Sequence, residues 1–300
     1  MSETYDLDLW VREIHRDNIT ALSFKVEETL FSGRSQYQKV DVLKTKSHGN
    51  ILMNDGVFML SELDEFVYHE MISHVPLFTH PSPKSVLIVG GGDGGTAREV
   101  LRHPVEKVVM VEIDELVVNV SRKYLPGVSC ALDDPRLELI IDDGVKYVAQ
   151  TKETFDVVIV DSTDPMAEGP SVPLFDKPFY EKAASILGPD GILITQAESP
   201  FYDQDIQKTM LSNQRSFFGK LHIYLYTTVS YPGGLWSFSF ASKGLCPVAD
   251  FDSARVKKLG LPIRYYNPAV HRAAFALPNF ASEGLGELLD PIPQTCSQQL

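Results

Sequence analysis

Positive charge is in short supply in this chain. Its 300 residues carry 27 lysines and arginines against 40 aspartates and glutamates, a formal net charge of −13. A nucleic-acid binder needs a basic face to neutralise phosphates, and no Lys/Arg cluster supplies one, so no nucleic-acid partner is expected. An acidic chain does not reach an anionic membrane by charge alone either. Cysteine is scarce: Cys130, Cys246 and Cys296 lie far apart and form no CxxC pair, which argues against a zinc site, a redox motif or a disulfide framework. That usage suits a reducing cytosol. No apolar run approaches the roughly 20 residues of a membrane span. The opening MSETYDLDLW lacks the basic-then-apolar order of a signal peptide. The expectation is a soluble, cytoplasmic protein with no metal. Its 44% hydrophobic residues are ordinary for a chain that buries a core. Most surplus carboxylates are then surface groups that keep the protein soluble, and a cationic ligand is compatible with them.

The first 60 or so residues alternate apolar and polar side chains through Leu22, Phe24 and Val26 and again from Tyr37 to Leu43. Ser32-Gly33, His48-Gly49-Asn50 and Asn54-Asp55-Gly56 punctuate the runs as turns. This pattern predicts a small antiparallel β domain over 1–60. A helix is expected over 62–78, with Phe66, Met71, Val75 and Phe78 forming its apolar face. From Lys84 short continuous apolar runs alternate with helical segments, as buried parallel strands do. Strands are expected at 85–90, 107–114, 137–141, 156–161 and 191–196, with helices at 96–102, 115–124, 145–151, 177–187 and 204–218. Two late strands at 222–229 and 235–242 read as an antiparallel pair around Tyr231-Pro232-Gly233-Gly234. The fold class is therefore α/β: a Rossmann-like, methyltransferase-type doubly wound sheet over 61–282 with a small N-terminal antiparallel β domain. The polar tail over 283–300 is expected to be loosely ordered.

Ligands of open α/β sheets bind beyond the carboxyl ends of the strands. After the first parallel strand comes Gly90-Gly91-Gly92-Asp93-Gly94-Gly95, a turn that lets backbone approach a ligand. The second strand reaches Glu112, an acid about 20 positions past the glycines, where a ribose diol is accepted in folds of this type. Together they point to a nucleoside-containing ligand. Asp142-Asp143-Gly144 follows the third strand, and an aspartate there either accepts from an adenine amine or caps the next helix. Asp161-Ser162-Thr163-Asp164-Pro165 follows the fourth, as turn chemistry or as part of an anionic pocket shared with Asp93. Asp93 bears on the choice of ligand. It would repel the α-carboxylate of S-adenosylmethionine and the pyrophosphate of a dinucleotide, and it would welcome an ammonium.

At wider range the residues resemble the spermidine synthases, the polyamine aminopropyltransferase family. The resemblance runs from about Trp10 to Phe280 through Ser35-Gln36-Tyr37-Gln38, Leu52-Met53-Asn54-Asp55-Gly56-Val57 and Asp64-Glu65-Phe66-Val67-Tyr68-His69-Glu70-Met71. It continues through the glycine turn, Val111-Glu112-Ile113-Asp114, Asp143-Gly144, the Asp161–Pro165 stretch, Tyr231-Pro232-Gly233-Gly234 and Arg264-Tyr265-Tyr266-Asn267-Pro268. The resemblance implies transfer of the aminopropyl group of decarboxylated S-adenosylmethionine, a co-substrate, to putrescine or a related polyamine. No permanently bound cofactor or metal is implied.

Residue by residue, Gln38, Glu112, Asp143, Gly144 and Pro170 would hold the nucleoside, and Asp93 the aminopropyl ammonium. Asp161 would be the general base, Asp164 and Tyr231 would position the diamine, and Tyr68 would stand by the attacking nitrogen. His69 would line the polyamine channel, and Trp10 matches a position near the substrate. The 165–175 loop is slightly longer than the family pattern, which bears on acceptor choice, and Glu168 on it reads as a solvated charge. A homodimer or homotetramer assembled through the N-terminal strands is expected. The alternatives are another acceptor (cadaverine, agmatine or spermidine), a small-molecule methyltransferase, which Asp93 opposes, and a non-catalytic polyamine sensor, which Asp161 and Tyr68 oppose.

Overall fold

The computed structural model describes residues 9–15, 20–165, 169 and 171–293. Five antiparallel strands come first, β1 (Leu9–His15), β2 (Thr20–Arg34), β3 (Lys39–Thr45), β4 (Gly49–Asn54) and β5 (Val57–Ser61), ordered in space as in sequence. The β4–β5 hairpin turns at Asp55 and Gly56, both at positive φ (49° and 87°), which is what a two-residue hairpin loop with matching twist demands. Val40, Val42, Leu52 and Leu60 of this sheet pack against Val117, Val120, Leu125 and Val128, so its inner face is seated on the larger domain.

That domain begins with α1 (Glu65–Thr79) and continues β6 (Ser85–Gly90), α2 (Gly95–Leu101), β7 (Lys107–Glu112), α3 (Glu115–Tyr124), β8 (Leu137–Ile141), α4 (Gly144–Gln150), β9 (Phe155–Asp161), α5 (Lys177–Ser185), β10 (Leu187–Gln196), α6 (Gln204–Arg215), β11 (Lys220–Thr227) and β12 (Leu235–Ser242). The strands form one sheet in the order β11-β12-β10-β9-β6-β7-β8, parallel except for β12, which runs antiparallel between β10 and β11. This is the doubly wound, methyltransferase-like arrangement the strand and helix alternation predicts. Alternate residues of β6 enter opposite cores: Val86 and Ile88 pack with α1 and α2, and Leu87 and Val89 with α5 and α6.

Two expectations are corrected. The helix α1 is not amphipathic. From Val67 to Thr79 every residue is buried, including His69, Glu70, Ser73 and His74, while Phe66, assigned to the apolar face, is only half-buried. A helix enclosed on all sides carries polar side chains inward only if each finds a partner. The described part of the tail expected to be loose from 283 is also held, through Asp290: after α7 (Ser253–Leu259) and α8 (Pro268–Ala274), α9 (Asn279–Leu285) buries Leu285. Leu288 and Leu289 pack on the same core, and Asp290 accepts from the Leu221 N–H at 2.8 Å and pairs with Arg215. These apolar side chains give the segment an anchor its polar composition conceals.

Candidate active site

The pocket lies at the carboxyl ends of β6, β7 and β9, where the chain turns from β6 toward neighbours on either side. Gly90 sits in register with Asp161 at φ +88°, and a Cβ there would stand 2.0 Å from the Asp161 carbonyl oxygen. Only glycine lets the turn lie so close against the end of β9. The Gly91 N–H then donates to that carbonyl at 2.7 Å. Asp93 and Asp161 both project from this floor into the pocket.

Asp161 Oδ1 accepts from the Tyr68 hydroxyl at 2.6 Å, and Oδ2 from the Thr96 hydroxyl at 2.7 Å. Burial, then the Asp93 charge, pushes the Asp161 carboxyl above the usual carboxylate range, while His69 and the two hydroxyls pull it back. Burial and Asp161 push Tyr68 far above the ordinary phenol value, so it stays protonated and donates.

Beside it runs a chain of alternating charge. Asp93 Oδ1 accepts from the Gly95 N–H at 2.7 Å and faces His69 Nε2 at 3.3 Å. His69 Nδ1 lies 2.5 Å from Glu65 Oε2, and Arg98 grips Glu65 with both Nη atoms, at 3.0 and 2.7 Å. Burial alone would favour neutral His69, but Asp93 and Glu65 outweigh it and raise its pKa to about 10. Burial likewise opposes ionised Glu65, yet His69 and Arg98 bring it down to about 2. Asp93 also sits below the usual carboxylate range, His69 overcoming the burial. His69 is thus a buried imidazolium clamped between two carboxylates, and it lines the pocket.

Toward β7, Glu112 accepts from the Gly92 N–H at 3.0 Å and the Asp114 N–H at 2.8 Å, and burial raises it to about 7 despite those bonds. Asp143 caps α4 by accepting at Oδ1 from the Val145 and Lys146 N–H groups, and it lines the pocket together with Gly144. Asp142 turns outward to Lys146. Gln38 reaches the pocket from the β2–β3 turn, its Nε2 donating to Asp114 Oδ2 at 3.0 Å, the oxygen that also receives the Ser35 hydroxyl. Asp164 and Tyr231 line the opposite wall. The Tyr231 hydroxyl donates to the Met59 carbonyl at 2.6 Å, and its ring meets Tyr68 edge-on. Pro170 and Glu168 lie outside the described residues.

One expected site residue is not brought to the pocket. Trp10 is 59% exposed on β1 and does not line the cavity. Side chains of a strand alternate, and on β1 the inward parity belongs to Val11, Glu13 and His15. Glu13 therefore occupies the wall in its stead. Its Oε2 accepts from the Phe58 N–H at 2.6 Å, and burial, with Asp164 adding, raises it to about 7. The alternation of β1 carries that signal in the sequence. Thr96 and Glu65 carry none, because their partners are 65 and 33 residues away. Trp236, whose Nε1 donates to the Pro232 carbonyl at 3.0 Å, also lines the pocket.

Fold and pocket together give a methyltransferase-like architecture with an acidic pocket at the strand ends. Residues 65–253 match the model of the spermine/spermidine synthase domain, and residues 9–62 that of the spermidine synthase tetramerisation domain. A polyamine aminopropyltransferase of Caldicellulosiruptor bescii is 47% identical over 93% of this chain and 98% of its own, and that of Thermotoga maritima 45% identical over 93% and 94%. A spermidine synthase solved with the transition-state analogue AdoDATO superposes at a TM-score of 0.91 with 44% identity, over 94% of this chain and 96% of its own. The spermidine synthase of Thermotoga maritima superposes at 0.89. The chain belongs to the spermine/spermidine synthase family and is an enzyme of the polyamine aminopropyltransferase kind. Among the described residues no helix is long and apolar enough to cross a membrane.

Proposed function

We propose that this enzyme transfers the aminopropyl group of decarboxylated S-adenosylmethionine to putrescine, giving spermidine and 5′-methylthioadenosine, with Asp161 as general base. The observation that carries this reading is the pair of half-buried carboxylates, Asp93 and Asp161, converging on one pocket. Unfilled, such a pair costs repulsion; a sulfonium donor bearing an ammonium, and a diamine, relieve it. The donor's nucleoside lies toward Glu112, Asp143 and Gly144, and its ammonium meets Asp93. The acceptor lies between Tyr68, Tyr231 and Asp164, its far ammonium toward Glu13.

A primary amine has a pKa near ~10 and arrives protonated, without a lone pair to attack. Asp161, its affinity for protons raised by burial, takes that proton. The freed nitrogen forms a C–N bond to the aminopropyl carbon as the C–S bond breaks. The bonding pair returns to sulfur, and the sulfonium leaves as the neutral thioether. The sulfonium is already activated, so the protein's work is orientation and charge balance. A bound carboxylated donor would set its carboxylate against Asp93, which disfavours methyl transfer. In the assembled enzyme, β1 is the surface that meets a second copy: Leu9, Trp10 and Ile14 are exposed along it, within the segment that matches the tetramerisation model. The reading is tested by incubating the protein with decarboxylated S-adenosylmethionine and a panel of amines and identifying products by mass spectrometry. Spermidine formed preferentially from putrescine is expected. Absence of methylthioadenosine with every amine overturns the reading.

A further inference from the structure

Both oxygens of Asp161 hold a hydroxyl donor, and the two donors stand in different surroundings. Tyr68, on Oδ1, lines the pocket. Thr96, on Oδ2, is fully buried in the first turn of α2 and does not line the cavity. The glycine turn closes Oδ2 further, since a Cβ on Gly91 would already lie 3.0 Å from it. We infer that Thr96 is a positioning residue for the base: it pins Oδ2 against the turn and leaves Oδ1 as the oxygen that receives the amine proton. The inference rests on the reading of Asp161 as general base.

The physical content is twofold. A carboxylate with one oxygen pinned cannot rotate about its Cβ–Cγ bond, so the lone pair of Oδ1 keeps one direction, as positioned acid–base groups require. A hydroxyl donated to a carboxylate also favours its ionised form. The groups facing Asp161 from the packed elements are Asp93 in the turn, Tyr68 and His69 on α1, Thr96 on α2, Glu112 at the end of β7, and Tyr231. Among them the two hydroxyls and the His69 imidazolium oppose the pull of burial and Asp93 toward a protonated, inactive acid.

The test measures kcat against pH at saturating donor and amine for Thr96→Val, Thr96→Ser and Asp161→Asn. Valine keeps the shape and loses the donor; serine keeps the donor and loses a methyl. Expected for valine is a plateau kcat lower by roughly ten- to a hundredfold and an acid limb moved up by about one pH unit. The amine KM should change little, and serine should restore both features. If valine fails to fold, Thr96→Ala removes the donor without branched bulk, and the same shift is expected. An unmoved acid limb with an unchanged plateau overturns the inference. So does equal impairment by serine and valine, which assigns Thr96 to packing alone. Retained turnover in Asp161→Asn instead removes the base itself, and is thereby distinguishable from failure of the Thr96 assignment.

Discussion

At the end of the pocket near β7, carboxylates take their hydrogen bonds from backbone: Glu112 from Gly92 and Asp114, and Asp143 from Val145 and Lys146. At the end near α1 they take them from side chains: Asp161 from Tyr68 and Thr96, and Asp93 from His69 besides one backbone N–H. Backbone donors come with the strand ends and helix starts of the fold, and they hold a group in place without setting its charge with precision. Side-chain donors can rotate, as the Tyr68 and Thr96 hydroxyls do, or carry charge, as His69 does. They therefore sit where the proposed chemistry moves a proton and places an ammonium. The helix α1 supplies most of them, with Tyr68 and His69 facing the pocket and Glu65 behind them. The neighbouring acids secure the surroundings: Asp64 accepts from Thr228, Val229 and Ser230 just ahead of Tyr231, and Glu70 accepts from the Arg264, Tyr265 and Tyr266 N–H groups.

The largest effect should come from breaking the side-chain end. Asp161→Asn keeps the shape and removes the base, so turnover should fall by roughly 10² to 10⁴. Methylthioadenosine binding, measured by calorimetry, should change less than threefold on the order-of-magnitude scale of a distant contact. Near-normal turnover would remove Asp161 from its proposed role. Next is Asp93→Asn, which should weaken the decarboxylated donor by about ten- to a hundredfold, the worth of a hydrogen bond to a charged group. Methylthioadenosine lacks the ammonium and should be spared. Equal losses for both ligands would contradict the assignment.

The backbone-held end should show itself in pH instead. Burial raises Glu112 from 4.5 to about 7, so the free enzyme holds that proton below about pH 7. An ionised carboxylate is the stronger acceptor for ribose hydroxyls. Methylthioadenosine affinity should therefore be flat above pH 7 and fall by up to about tenfold for each unit below it. The same shift favours the folded protein at low pH: this contribution to stability is present below about 4.5 and lost as pH rises toward 7. Glu112→Gln should flatten the binding profile. A profile unchanged by that substitution would place the titrating group elsewhere.

How much of this was legible in the sequence follows the same division. The central parallel strands and their ends are visible as apolar runs, because a parallel strand buried on both faces shows no polar alternation. Glu112, Asp143 and Asp161 are readable for the same reason: each closes or directly follows such a run. The pairing of Thr96 with Asp161 is not, because a threonine opening a helix reads as local capping and its partner is 65 residues distant. The clamp of Glu65 and Arg98 on His69 is hidden in the same way. The burial of α1 on all sides is invisible to periodicity, since its inward histidines and Glu70 look like a solvent face until their partners are known. The tail misleads because three leucines anchor it within a polar stretch.

The smallest effects separate Trp10 from Glu13, three positions apart on one strand. Val11, Glu13 and His15 face inward on β1, so Glu13 lines the pocket at its proposed acceptor end while Trp10 does not line it. Glu13→Gln should raise the putrescine KM by about tenfold, the lower range for a charge-assisted contact. It should leave kcat within about twofold and spare methylthioadenosine, because the residue touches neither the base nor the nucleoside. Both free-enzyme Glu13 and its proposed ligand carry titratable charge. With burial holding Glu13 near 7, the effect should be largest at pH 8, where the carboxylate is ionised, and shrink toward pH 6. Trp10→Ala should leave KM and kcat per active site nearly unchanged and act, if at all, on the sedimentation coefficient through the exposed face of β1. Steady-state kinetics on the two variants, with analytical ultracentrifugation on the second, reads both outcomes. A putrescine KM that responds to Trp10 and not to Glu13 would mean that a second copy of the chain turns the outer face of β1 into part of the site, and that strand parity within one chain does not decide which residue meets the amine.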